Sequence, residues 1–200
     1  MNDRQEQVTA YAAEGRIWTR LAGLLPSAED AELVQDCWDI GEQEGGLWQL
    51  VEKLHERRVA VDEFTRAEIA AMAVQWDVWD QLQDDILALP ALALPPPAPP
   101  AGGARRGPLR VYADMEPVEE DGRMLVPWMR CAGCERILSR GHLRTSWGML
   151  SYPSAYLVTG RGEAPVEFET EEPGAVWAAL SALSAGCRAQ GDELRGEGGA

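Results

Sequence analysis

Between residues 1 and 89 the apolar positions recur at the three-to-four-residue spacing of amphipathic helices. Val8, Tyr11, Trp18, Leu21 and Leu25 fall on one stripe, interrupted at Gly15, and Pro26 stops it. Ser27 is then a good N-cap with Asp30 three residues on, a box-like arrangement. Leu33, Val34, Cys37 and Trp38 form the apolar face of a second helix that ends at Gly41, and Leu47, Leu50, Val51 and Leu54 form that of a third. Asp62 caps a fourth, with Ile69, Met72, Ala73, Trp76 and Trp79 on its apolar face and Asp77, Asp80, Asp84 and Asp85 on its wet face. Helices joined by short connections run roughly antiparallel, so the pattern predicts an all-α four-helix bundle over residues 1–89.

The period then breaks. In PALALPPPAPPAGGARRGP, residues 90–108, proline fixes φ and removes backbone donors, which predicts a semi-rigid, extended linker. Beyond it, LRVYADMEPV, RMLVPWMRC, SAYLVTG and PVEFETEE read as short strands separated by turn residues. PGAVWAALSALSAGC reads as a helix with Val176, Trp177, Leu180 and Leu183 facing inward. The expectation is a small α+β unit over residues 109–190, followed by a loose tail over 191–200.

Charge narrows the partners. The 200-residue chain carries a formal net charge of −15. Residues 1–90 hold 19 acids and 7 bases, residues 91–200 hold 14 acids and 11 bases, so the acidity belongs mostly to the first half. Such a surface repels nucleic acid and favours a basic partner. No apolar run is long enough to span a bilayer, and the N-terminal MNDRQEQVTAYAAEGR lacks the cations and apolar stretch of a signal peptide. The chain therefore reads as cytoplasmic, without a membrane partner, and its four cysteines as reduced thiols or metal ligands.

Candidate chemistry is sparse. There are two histidines, His55 and His142, and no G-x-S-x-G, Walker A or H-E-x-x-H pattern, so no enzyme activity is expected. Cys131-Ala-Gly-Cys134 has the spacing of a metal knuckle, in which two thiolates converge on one tetrahedral ion. His142 is the nearest further ligand in sequence and Cys187 another. No other cofactor is implied. Residues 123–161 interleave six arginines with aromatic residues, a texture suited either to nucleic acid or to pairing with the acids of the same chain.

The run DIGEQEGGLWQLVEKLHERRVAV shows a Gly41-Glu42 turn after one helix, then Leu47, Leu50 and Leu54, then Val59 and Val61 leading into the next. This pattern, over residues 33–75 in the N-terminal half only, resembles small helical immunity proteins of bacterial toxin systems, the Maf-type and contact-dependent-inhibition kinds. The resemblance implies an antitoxin-like protein that neutralises a cognate protein toxin. Independently, an acidic partner finds a basic groove by long-range attraction and holds it with carboxylates and aromatic anchors. The residues expected to do so are Asp36, Asp39, Glu42, Glu44 and Trp48, whereas Trp38 continues a buried stripe. The alternative is a small C-x-x-C or zinc-bearing module of regulatory or nucleic-acid-associated type.

Overall fold

In the computed structural model the chain divides into two compact units, Met1–Leu94 and Pro95–Ala200. The structure describes residues 3–92, 109–113, 115–145 and 149–196, with only the backbone course given for residue 3 and for 186–196. Most of the proline-rich segment 90–108 lies outside the described residues.

The first unit contains α1 (Asp3–Ala22), α2 (Ala28–Ile40), α3 (Gln43–Glu56), α4 (Glu63–Gln75) and α5 (Trp79–Ala88). Its core is built by Trp18, Leu21, Leu47, Leu50, Leu54, Ile69, Met72, Leu82 and Ile86, all essentially inaccessible to water. Trp38 stacks on Tyr11 with ring centroids 4.6 Å apart, lies 5.3 Å from Trp18, and meets the edge of Trp76 at 6.3 Å. Ser27 and Asp62 cap α2 and α4, accepting from the backbone N–H of Asp30 (3.2 Å) and Thr65 (2.7 Å).

The first unit is not the predicted four-helix bundle: its described residues form five helices, because the stretch expected as one helix from Asp62 through Asp85 is broken. Asp77 adopts a left-handed φ of 55°. The N–H of Asp77 then bonds the carbonyl of Val74 at 3.2 Å and that of Val78 bonds Ala73 at 2.8 Å. This is the Schellman pattern that closes a helix end. The unit is not purely helical either, since Val61 forms a parallel bridge with Ala91.

The second unit joins a sheet to a helix, with more strands among its described residues than the four expected. It holds β1 (Leu109–Val111), β2 (Val118–Glu120), β3 (Arg123–Cys131), β4 (Ile137–Arg144), β5 (Leu150–Thr159) and β6 (Val166–Glu169), then α6 (Ala175–Gly196). They make one six-stranded antiparallel sheet in the order β1-β3-β4-β5-β6, with β2 also on β3. β1 and β2 occupy successive halves of the same edge of β3. α6 packs on the sheet through Val176, Ala179, Leu180 and Leu183 and runs through most of the segment expected to be a loose tail.

β4 is the strand absent from the sequence expectation. Its ILSRGHLR carries polar groups at alternating positions, yet Ser139, Arg140 and His142 are all buried. Arg140 lies opposite Tyr156 of β5, with its guanidinium 5.7 Å from the centre of the Trp128 ring. Burial pushes the Tyr156 phenol up to about 12, against a smaller opposing pull from Arg140. The ordinary value is about 10. The folded state thus holds this proton more tightly than the unfolded state. Its contribution is complete below about pH 10 and is lost as pH rises towards 12, on the order of 2 kcal/mol. Denaturation midpoints at pH 9 and pH 11.5 should show this loss, and Tyr156→Phe should reduce it. An identical alkaline loss in the phenylalanine variant would assign it elsewhere.

Candidate partner-binding site

The site expected from sequence is the corner between α2 and α3. Gly41, at φ 85°, reverses the chain there, and the Glu42 N–H bonds the Cys37 carbonyl at 2.8 Å. α3 begins without a side-chain cap, so Glu42 is left at the corner and Glu44 in the first turn. Asp36, Asp39, Glu42 and Glu44 are all exposed. Among the described residues none of the four is ion-paired; Asp39 accepts a hydrogen bond from Gln35 at 3.1 Å. Their field is felt locally: the Cys37 thiol is raised above its ordinary value, first by burial and then by Asp36 and Glu42.

The bases of this unit do little to offset the corner. Four of its seven are engaged on other acids, as Arg20–Glu68, Lys53–Glu56, Arg57–Asp30 and Arg66–Glu63.

Apolar side chains accompany the carboxylates. Trp48 is 42% exposed, on the edge of the α3 stripe about 100° from buried Leu47. Ile40, absent from the expected site, is 73% exposed, and Leu33, expected on the buried face of α2, is 45% exposed. Leu33, Asp36 and Ile40 recur at three and four residues, so a second stripe was present in the spacing.

Trp48 does not stand with all four acids. It lines a groove of about 550 Å³ between α3 and α5 with Val51 and Leu82, and Glu52, Glu56 and Asp85 line the same groove. His55 joins the two helices through a 2.7 Å bond between Nε2 and the Asp85 carbonyl oxygen. Asp36, Asp39, Glu42 and Glu44 are not among its lining residues. The signal for this group was the spacing of Trp48, Glu52, His55 and Glu56, which share one side of α3.

Cys131 and Cys134 share one turn, but His142 is not brought to them. Cys131 ends β3 and Cys134 lies in the following turn, both buried. That turn is closed by Glu135 N–H to Cys131 carbonyl and Cys131 N–H to Arg136 carbonyl, each 2.9 Å. His142 pairs with Met124, at the opposite end of β3. Cys131 is seven residue steps along β3 from Met124, roughly 20 Å, where zinc needs ligands within about 2.3 Å. Cys187 lies on α6, where side chains are outside the described set. Among the described residues no group of three or more His, Cys, Asp or Glu could hold a metal ion.

The arginine-rich segment is partly tied up. Arg123 pairs with Glu167, Arg130 with Glu135 at 3.0 Å and Arg136 with Glu163 at 2.5 Å. Among the described residues no helix is long and apolar enough to cross a membrane. No family model matches the chain, and neither a curated protein nor a solved structure matches it.

Proposed function

We propose that the protein is an antitoxin-like immunity protein, without enzyme activity, that neutralises a basic protein toxin by covering it with the acidic surface at the α2–α3 corner. The observation that carries this reading is the composition of that surface. Carboxylates that are exposed and, among the described residues, without ion-pair partners share α2 and the start of α3 with exposed Leu33 and Ile40, and exposed Trp48 follows on α3. An ordinary solvated face has no use for the apolar groups, and a core would exclude the acids. Together they are the ingredients of a protein interface, steering from the charges and anchoring from the aromatic and aliphatic side chains. The net charge of −15 disfavours nucleic acid as the partner.

The test is the triple variant Asp39→Lys, Glu42→Lys, Glu44→Lys. Exposed charges contribute little to stability, so the fold should persist and the melting profile should change by less than about 1 kcal/mol. Association with a cognate basic toxin should slow by roughly tenfold or more at low salt, the difference shrinking as salt screens the field. Protection of cells expressing that toxin should fall with it. Full protection by the triple variant would reduce the corner to plain surface.

A further inference from the structure

The groove between α3 and α5 has a shape and charge that the corner lacks. Val51 and Leu82 are both about 1% exposed, so the apolar atoms beneath it are part of the core, while Trp48 stands 42% exposed beside them. Glu52, Glu56 and Asp85 are exposed along it. Glu56 is held by Lys53 at 2.8 Å, whereas among the described residues neither Glu52 nor Asp85 has an ion-pair partner. The groove has a volume of about 550 Å³ and is open to solvent along its length. The His55–Asp85 bond fixes the two helices across it, so the groove is formed before anything binds.

We propose that this groove seats an apolar side chain of a cationic segment of the partner protein. The exposed ring of Trp48 receives the side chain, above a floor that Val51 and Leu82 close from below, and Glu52, Glu56 and Asp85 receive the lysines or arginines that flank it. The occupant follows from charge complementarity. Three carboxylates exclude an acidic peptide, the phosphates of nucleic acid and an anionic membrane surface, and an exposed tryptophan over aliphatic groups calls for more than a bare cation. Tryptophan also attracts a cation placed over its face, which favours arginine next to the anchor. The inference rests on the reading of the protein as a binder of a basic protein and assigns that binding a second contact besides the corner.

The experiment uses the full chain, isotope-labelled for amide and indole signals, with the Trp48 indole assigned through Trp48→Phe. The probe is a short synthetic peptide with Leu-Phe flanked by arginines, and the control is the same peptide with glutamates for the arginines. The expected result is a shift of the Trp48 indole and of the amides around Glu52 and Asp85 with the cationic peptide alone. Glu52→Gln with Asp85→Asn should weaken binding about tenfold, each charge pair contributing a modest share. The Asp85 bond to His55 runs through its backbone oxygen, so Asp85→Asn leaves the groove's tie in place. Shifts confined to Asp36, Asp39 and Glu42 would overturn the groove and leave the proposed function standing. Equal binding by the double variant or by the glutamate peptide would overturn the groove as well. No shift anywhere in the first unit would overturn the groove, and the proposed function would still stand or fall with the triple variant.

Discussion

Replacing Arg66 by methionine should cost the first unit about 3–5 kcal/mol, because it leaves the end of another helix without its donor. Arg66 sits on α4 and is 4% exposed. Its guanidinium reaches across to the C-terminal end of α5. Nη1 donates to the carbonyls of Ile86 (2.5 Å) and Leu87 (3.3 Å), and Nη2 to that of Leu89 (3.0 Å). The last carbonyls of a helix have no partner within it, and the helix dipole places negative charge there. One planar fork therefore satisfies several acceptors and neutralises the dipole's end. Methionine fills much the same space but strands buried acceptors, each costing about 1–3 kcal/mol. Lysine restores charge but not the fork, so Arg66→Lys should fall between the two. Urea denaturation of parent and variants measures this directly. With typical slopes, the methionine variant should lose roughly 2 M in midpoint. An unchanged midpoint would show that α5 ends without help from Arg66.

Helix interiors were legible in the sequence because their apolar stripes repeat; two helix ends were not. α2 stops at Gly41, whose left-handed φ is natural for glycine and is readable as punctuation. α3 and α4 stop by the same reversal with Arg58 at φ 52° and Asp77 at φ 55°. Neither residue type marks such a turn in sequence, so α4 and α5 read as one helix. The reversal is held by tertiary packing, with Val78 and Trp79 buried immediately after it.

In the sheet, β3 was legible from its apolar run, while β4 was not. A strand with Arg140 and His142 buried looks like a loop until its neighbours are known. Trp128 and Tyr156 make that environment for Arg140, one from each of the strands that flank β4.

The candidate site divides in the same way. Exposure of the corner acids and of Trp48 followed from helical geometry alone. The groove needed α5 beside α3, a pairing the stripe spacing does not specify, and so Glu52 and Asp85 read as scattered surface charge. The C-x-x-C pair and His142 share one hairpin in sequence yet lie at its opposite ends, because antiparallel register separates residues as strands lengthen.

The two adjacent glycines at the start of α3 should respond to alanine with opposite sign. A methyl group on Gly45 meets nothing within 4 Å. Gly45→Ala therefore gains helix propensity and loses unfolded-state freedom, raising stability by about 0.5–1 kcal/mol. The same methyl on Gly46 would lie 2.6 Å from Cζ2 and 2.8 Å from Cη2 of Trp18, and 2.7 Å from Cβ of Cys37. Neither neighbour can yield cheaply. Trp18 is buried, with its indole N–H held on the Val34 carbonyl at 3.0 Å, and the Cys37 Cβ moves only with the α2 backbone. Relief requires α3 to move away from α2, opening the core around Leu47 and Leu50. Overpacking of this kind costs about 1–3 kcal/mol, and contacts this short on two rigid groups place Gly46→Ala at the upper end despite the propensity gain. The difference between the two variants should thus approach about 3 kcal/mol, read as two denaturation midpoints on either side of the parent. The displacement also moves Glu42 and Glu44 relative to Asp36 and Asp39, so under the proposed function Gly46→Ala should weaken partner binding even where it remains folded, while Gly45→Ala should not. If both variants prove equally stable, α3 does not approach α2 as closely as this, and the geometry assigned to the acidic corner fails with it.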